Sequence, residues 1–202
     1  PENQSAGNIT KFTKQSLAIW RKRMESKYRS GPAKMIKYII RHSWINYAHI
    51  KHNGYPFNET TIVKDGKGQI TGTLGEMAFG RWLTDLDIDF EYCADDSMNF
   101  DFKVGEYRID VKTKKTHGAP RPDYMVRIPK SQERQQCDMY VFAYATDHEI
   151  YLLGFASKSG FWSSLGHSVK AGDKTESHTE KVDAQFAYIR DLTDMQRLDL
   201  ML

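Results

Sequence analysis

Two carboxylates and one amine stand close together in the stretch NFDFKVGEYRIDVKTK. Asp101 belongs to one predicted strand and Asp110 to the next, and the tight turn at residues 103–106 joins them as a hairpin. Asp110 and Lys112 are two residues apart, so their side chains point to the same face of the strand. The hairpin therefore predicts that Asp101 lies beside this pair, at the end of a sheet.

Such a group suits the hydrolysis of phosphodiester bonds. Carboxylates are hard oxygen ligands for Mg²⁺, with Mn²⁺ as a substitute, and the backbone carbonyl of Val111 is a natural additional ligand. The ion lowers the pKa of a bound water and stabilises negative charge that builds on phosphorus. Lys112 is placed to hold the attacking water and to counter the same charge.

The pattern resembles the PD-(D/E)XK nuclease superfamily. Asp101, eight intervening residues and then Asp110-Val111-Lys112 match its motif, with Asp in place of the commoner Glu. Glu76 matches the acid that many members carry on the preceding helix. The resemblance implies that Asp101 and Asp110 bind the metal and that Lys112 positions the nucleophile. It also implies that Glu76 ligates the metal, directly or through water.

The elements that position these residues follow from the hydrophobic pattern. Helical spacing in TGTLGEMAFGRWLTDL predicts the helix that carries Glu76, and short β-rich runs follow between residues 90 and 156. SQERQQCD, with Ser131 as its N-cap, predicts a helix before the strand at 139. The order is helix, three strands, helix, strand, strand, which is an α/β fold with a mixed central sheet. This order resembles the superfamily's restriction-endonuclease-like core over about residues 70–156.

A basic helical arm is predicted ahead of this core. Bulky residues recur every three or four positions in SLAIWRKRMESKY and again in AKMIKYIIRHSWINYAHIKH, which predicts two helices separated by Gly31-Pro32. Residues 1–65 carry twelve Lys or Arg against four acids, a net of +8, whereas residues 66–202 sum to −5. A basic segment of this kind suits a nucleic-acid backbone, and a solvated helical face is the alternative on charge alone.

Cations of the arm, and others beyond the catalytic strand, are the expected nucleic-acid contacts. Those of the arm are Arg21, Lys22, Arg23, Lys34, Lys37 and Arg41. Lys114 shares the strand face of Lys112, and His117 and Arg121 lie in the following loop. Contacts of this kind position a protein on the phosphate backbone without reading sequence.

The 202 residues fit one domain or a core with an appendage. The predicted division is the arm at 1–60, the nuclease core at 61–160 and a C-terminal extension packed on the core at 161–202, where a strand leads into a short helix. No apolar run approaches the roughly 20 residues needed to cross a bilayer. Two cysteines are too few for a disulfide framework. We therefore expect an intracellular protein without membrane contact.

Two patterns offer other interpretations of single residues. Thr73-Leu74-Gly75-Glu76 fits a capping box, in which Glu76 would bond the N-cap amide instead of serving a metal. Gln136 and Tyr140 match the Q-x-x-x-Y motif of exonuclease-like members, but Tyr140 opens a predicted strand, so we interpret this match as coincidence.

The expected function is Mg²⁺-dependent endonuclease activity on DNA. Members of the superfamily often act as dimers, which by analogy implies a homodimer. A Holliday-junction-type resolvase, an exonuclease, an RNA nuclease and a catalytically inactive nucleic-acid-binding protein are alternatives on the same core. A purely structural or partner-binding domain is a further alternative.

Overall fold

The structure, a computed structural model, describes residues 35–52, 67–93, 100–174 and 179–200. These residues belong to one compact unit. The first predicted helix of the arm, with Arg21, Lys22 and Arg23, lies outside the described residues, and so does Lys34. Within the described ranges, no helix is both long and apolar enough to cross a membrane.

The described residues form a mixed α/β structure with nine strands. These are β1 (Ile36–Ile39), β2 (Glu91–Tyr92), β3 (Phe102–Val104), β4 (Tyr107–Lys115), β5 (Met125–Pro129), β6 (Met139–Ala145), β7 (Glu149–Ser157), β8 (His167–Val169) and β9 (Ala184–Tyr188). Six of them make a central sheet in the order β1–β7–β6–β4–β3–β2. Its pairs are antiparallel except β4 and β6, which are parallel. The mixed central sheet expected from the sequence is thus confirmed.

A three-stranded antiparallel sheet, in the order β5–β9–β8, covers one face of the central sheet. Apolar residues of this second sheet pack against the aromatic side chains that β6 points toward it: Val126, Ile128, Ala187, Tyr140, Phe142 and Tyr144. Every residue of β6 is buried. Burial on both faces explains why MYVFAYA reads as a continuous apolar run rather than an alternating one.

Helices cover the opposite face. Helix α1 (His42–His52) packs on α2 (Lys67–Asp85), and α2 packs on β4, β6 and β7. The apolar side of α2 includes Ala78, Phe79 and Leu83, which share one core cluster with Val141 and Ala143 of β6. The described part of the chain therefore has three layers, with the central sheet between the helices and the second sheet.

Close contact between α2 and β4 requires a glycine. A Cβ atom added to Gly75 would lie 1.9 Å from Oγ1 of Thr113, so no larger residue fits while the helix keeps this distance. Thr113 points to the helix side of β4, whereas Asp110 and Lys112 point to the other side. The residues of the predicted catalytic strand are thereby divided between the two faces of the sheet.

The helix predicted for residues 33–52 is wrong at its start. Residues 36–39 form β1, which pairs with β7, and the helix begins only at His42. Ile36 and Tyr38 pack against the core while Lys37 and Ile39 are exposed. These residues form a strand rather than a helix because Ile and Tyr pack well on a pleated surface and because the edge of β7 is available for pairing.

The helix predicted from SQERQQCD is also wrong. Only a 3₁₀ turn forms, at Lys130–Gln132, and Ser131 lies inside this turn instead of capping a helix. The parallel connection from β4 to β6 passes instead through β5, which belongs to the second sheet. At the C-terminal end, β9 leads into 3₁₀ turns at Ile189–Asp191 and Met195–Leu200, as the sequence indicated. Met195 and Leu198 are buried in the core cluster of the helix side.

Candidate active site

The hairpin of β3 and β4 brings Asp101 to β4. Gly105 adopts a φ of +58°, which glycine accepts readily, and closes the turn between the two strands. Asp101 lies directly before β3, and its amide donates to the carbonyl of Ile109 at 2.9 Å. Its carboxylate then accepts a hydrogen bond from the backbone amide of Val111 at 2.7 Å. This side chain thus extends the hairpin's pairing by one residue.

Asp110 and Lys112 form a close ion pair on the face of β4 that the second sheet covers. Lys112 Nζ lies 2.6 Å from Oδ2 of Asp110. The Asp110 side chain is only 7% exposed, and that of Lys112 is 17% exposed. Gln135 supplies a further contact, with its side-chain amide 3.4 Å from Oδ1 of Asp110. Lys112 also lies 6.0 Å from the centre of the Tyr140 ring.

Glu76 approaches from the other side of the sheet, on α2. Its Oε2 accepts a hydrogen bond from the Tyr92 hydroxyl of β2 and lies 3.5 Å from Nζ of Lys51 on α1. Lys51 also donates to the Tyr92 hydroxyl at 2.7 Å. Because α2 begins by Lys67, Glu76 stands in its third turn, and the capping-box interpretation of this residue is wrong.

Electrostatic repulsion links the three acids. Burial raises the pKa of Asp101 well above its ordinary value of 3.8, and the negative charges of Asp110 and Glu76 raise it further. The Val111 amide and the Lys112 ammonium act in the opposite direction and do not cancel this effect. A bound cation would stabilise carboxylates that lie this close together, and such groups of acids are typical of functional sites.

Two of the three acids, Asp101 and Asp110, form a more suitable site for a divalent cation than all three would together. Within the described ranges, no group of three His, Cys, Asp or Glu side chains converges closely enough to hold one ion. Mg²⁺ is commonly bound by one or two carboxylates and completes its shell with water and phosphate oxygen. In an extended strand the amide and carbonyl of one residue face the same edge, so the Val111 carbonyl faces the edge where Asp101 lies. These two carboxylates and this carbonyl are the donors that fit Mg²⁺.

The cations expected to contact nucleic acid are spread over the surface. Lys37 lies on β1, where its ammonium pairs with Glu149 at 2.8 Å, and Arg41 directly precedes α1. Lys114 follows Lys112 on the same face of β4, 5.5 Å from the centre of the Tyr144 ring. Desolvation, with the nearby charge of Arg127, lowers the pKa of Lys114.

The loop after β4 exposes the last two expected contacts. His117 is exposed, and so is Arg121, which pairs with Asp123 at 3.1 Å and stacks on Tyr124. Both side chains are therefore open to a ligand, although Arg121 already has an ionic partner in Asp123.

Sequence reasoning missed Lys51, Tyr92 and Gln135. Lys51 and Tyr92 come from two different elements and meet Glu76 only through the fold. Gln135 stands in a segment that was predicted to be a helix and is instead irregular. No motif in the sequence marks these three residues.

Comparison of the chain with family models, with curated proteins and with solved structures finds no match.

Proposed function

We propose that this protein is a Mg²⁺-dependent nuclease that hydrolyses phosphodiester bonds in DNA. The observation that carries the proposal is the pair of neighbouring acids on one hairpin, Asp101 and Asp110, with Lys112 against the second. Two close carboxylates and an adjacent amine provide metal binding and water activation in one place.

Each residue has a distinct role in the proposed reaction. Asp101 and Asp110 hold the ion with the Val111 carbonyl, and bound Mg²⁺ supplies Lewis-acid stabilisation of the phosphate and a more acidic water. Lys112 positions the attacking water and faces the negative charge that develops on the phosphate. Mn²⁺ is expected to replace Mg²⁺ because the same oxygen ligands suit both ions.

Glu76 would act indirectly. Its Oε2 is engaged by Tyr92 and Lys51, so this side chain would hold a water molecule of the site rather than bind the ion itself. Lys51 and Tyr92 are positioning residues in this account, because they fix the orientation of Glu76.

Strand order also supports the proposal. Strands β2, β3 and β4 form an antiparallel meander, α2 precedes them, and β6 lies parallel to β4. This is the helix and strand order implied by the resemblance to the PD-(D/E)XK superfamily. We therefore propose a restriction-endonuclease-like core in which the connection between β4 and β6 has acquired β5 in place of a helix.

A comparison of cleavage on four substrates is the experiment that tests this function. The protein would be incubated with Mg²⁺ and each of four substrates: supercoiled plasmid, linear duplex, a four-way DNA junction and structured RNA. Nicking or linearisation of plasmid supports a DNA endonuclease. Preferential cleavage of the junction, of free ends or of RNA would instead identify a resolvase, an exonuclease or an RNA nuclease. Binding without cleavage of any substrate, with Mn²⁺ as well, would identify an inactive nucleic-acid-binding protein.

A homodimer is proposed by analogy alone, because cutting both strands of a duplex takes two active sites. Analytical ultracentrifugation over a range of protein concentrations tests it. Linear product that accumulates directly from plasmid supports paired active sites, whereas nicked circles that accumulate first support independent ones.

A further inference from the structure

The second sheet carries a row of aromatic side chains on the face turned away from the core. Val126 and Ala187 point inward to the core, so the alternate positions of β5, β8 and β9 form the outer face. His167 of β8 and Phe186 of β9 are cross-strand partners on this face. Tyr188 follows Phe186 on the same face, two residues further along β9.

These rings lie close together and remain accessible. Their centroids are 5.3 Å apart for His167 and Phe186 and 5.8 Å apart for Phe186 and Tyr188. The Arg190 guanidinium lies 4.5 Å from the centre of the Tyr188 ring. His167 and Arg190 are exposed, and Phe186 and Tyr188 are half-buried. Open planar groups of this kind are surfaces on which unpaired bases stack.

Two arginines border the rings of the outer face. Its positions, read from the strand register, are Met125, Arg127, Pro129, His167, Val169, Ala184, Phe186 and Tyr188. They include one arginine and one histidine and no acid, and Arg190 adds a cation at the end of β9. Arg127 pairs with buried Glu180, and the Arg190 guanidinium lies 3.9 Å from Asp191. Aromatic rings bordered by arginines match nucleic acid with accessible bases.

A chain of contacts links the strand that carries Lys112 and Lys114 to the second sheet. Lys114 of β4 lies over the Tyr144 ring, and the Tyr144 hydroxyl donates to the backbone carbonyl of Met125. Met125 is the cross-strand partner of Tyr188. This chain passes through the buried Tyr144, and Lys114 is the exposed residue at its β4 end.

We propose that the outer face of the second sheet binds an unpaired segment of the nucleic-acid substrate, with His167, Phe186 and Tyr188 stacking on bases. Arg190 contacts the backbone of this segment, and Lys114 contacts the phosphate between the face and the catalytic group. The substrate therefore has a single-stranded region next to the bond that is cut. Only the statement about the bond that is cut rests on the proposed nuclease function, because the binding face is inferred from its own geometry.

Fluorescence anisotropy of a labelled oligothymidine, about 15 nucleotides long to cover one such site, tests the inference with the full chain. EDTA is present throughout, so binding is measured without cleavage. Tyr188→Leu and Phe186→Leu keep apolar volume and remove the ring, and each is expected to weaken binding on the order of tenfold. Tyr47→Leu, at an exposed tyrosine of α1, is the matched control and leaves binding unchanged.

A second measurement does not depend on the half-buried rings. Arg190→Gln changes an exposed side chain and is expected to reduce the slope of log affinity against log salt by about 0.7, the value for one phosphate contact on a single strand. Thermal melting of every variant checks that the fold is kept.

The outcomes separate this inference from the nuclease proposal. Wild-type protein that binds no oligothymidine, or that binds blunt duplex equally well, overturns the inference, as does unchanged affinity in Tyr188→Leu and Arg190→Gln. Single-strand binding that persists in a protein without cleavage activity refutes the nuclease proposal and supports the binding face.

Discussion

The carboxylate of Asp101 accepts a hydrogen bond at 2.7 Å from the backbone amide of Val111, the residue that follows Asp110 on β4. The backbone of one strand therefore holds the acid of the neighbouring segment beside its own acid. The same arrangement keeps two negative groups close together, and burial, together with the negative charge of Asp110, raises the pKa of Asp101. The fold maintains a charge arrangement that a cation would relieve.

Asp101→Asn is expected to stabilise the metal-free protein. Asn keeps an oxygen that accepts the Val111 amide and removes one of the repelling charges. The free energy of unfolding at neutral pH should therefore be higher for the variant than for wild type. Urea denaturation in EDTA measures this change. Loss of stability in the variant would show that the charge of Asp101 is not repelled in the folded state.

The pH dependence of the difference in unfolding free energy between wild type and Asp101→Asn is a separate test. Because the folded-state pKa of Asp101 is raised, the folded protein binds this proton more tightly than the unfolded chain does. Wild type therefore loses stability relative to Asp101→Asn as the pH rises through the folded-state pKa. Below the ordinary value of 3.8 the carboxyl is protonated in both the folded and the unfolded state. The difference in unfolding free energy between the two proteins should then no longer change with pH. A difference that is constant across the acid-to-neutral range contradicts this assignment.

Lys112→Met is expected to destabilise the fold. It removes the ammonium that lies 2.6 Å from the buried Asp110 carboxylate and leaves the Gln135 amide, at 3.4 Å, as a weaker partner. Removing one partner of a buried ion pair costs a few kcal/mol, and we expect about 2 kcal/mol or more here. The double variant Asp110→Asn with Lys112→Met should recover part of this loss, because no charge is then stranded. Equal stabilities of wild type and Lys112→Met in urea denaturation would show that the pair is not formed.

Gly75→Ala tests the packing of α2 on β4. Alanine is the better helix former by about 1 kcal/mol, but its Cβ would lie 1.9 Å from Oγ1 of Thr113. We expect a net destabilisation of about 1–3 kcal/mol, measured by thermal or urea denaturation. Gly118→Ala is the control, since nothing lies within 4 Å of the added atom. A Gly75→Ala protein as stable as Gly118→Ala would contradict the close approach.

Local pattern was enough to predict the hairpin, the helix that carries Glu76 and the mixed sheet. Asp101 and Asp110 are only nine residues apart, and turn chemistry at Gly105 decides how they meet. The pairing of Asp110 with Lys112 follows from strand geometry alone. These features depend on contacts between residues that are near one another in the chain.

Features that depend on distant contacts were missed. Residues 36–39 have helical spacing as well as strand alternation, and pairing with β7, more than 100 residues away, selects the strand. The segment before β6 likewise follows the second sheet rather than its own helix signals. Lys51 and Tyr92 meet at Glu76 because two helices and an edge strand pack together, which no local motif encodes.

Cleavage of supercoiled plasmid in Mg²⁺ by wild type, Asp110→Asn and Asp147→Asn is the most direct test of the nuclease proposal. Asp147 is a matched control, because it is an acid that is 70% exposed and paired with Lys115 on the surface. Wild type and Asp147→Asn are expected to nick or linearise the plasmid. Asp110→Asn is expected to cleave at a rate at least about 1,000-fold lower, and EDTA is expected to abolish cleavage. Cleavage by Asp110→Asn at the wild-type rate, or cleavage that persists in EDTA, would contradict the nuclease proposal.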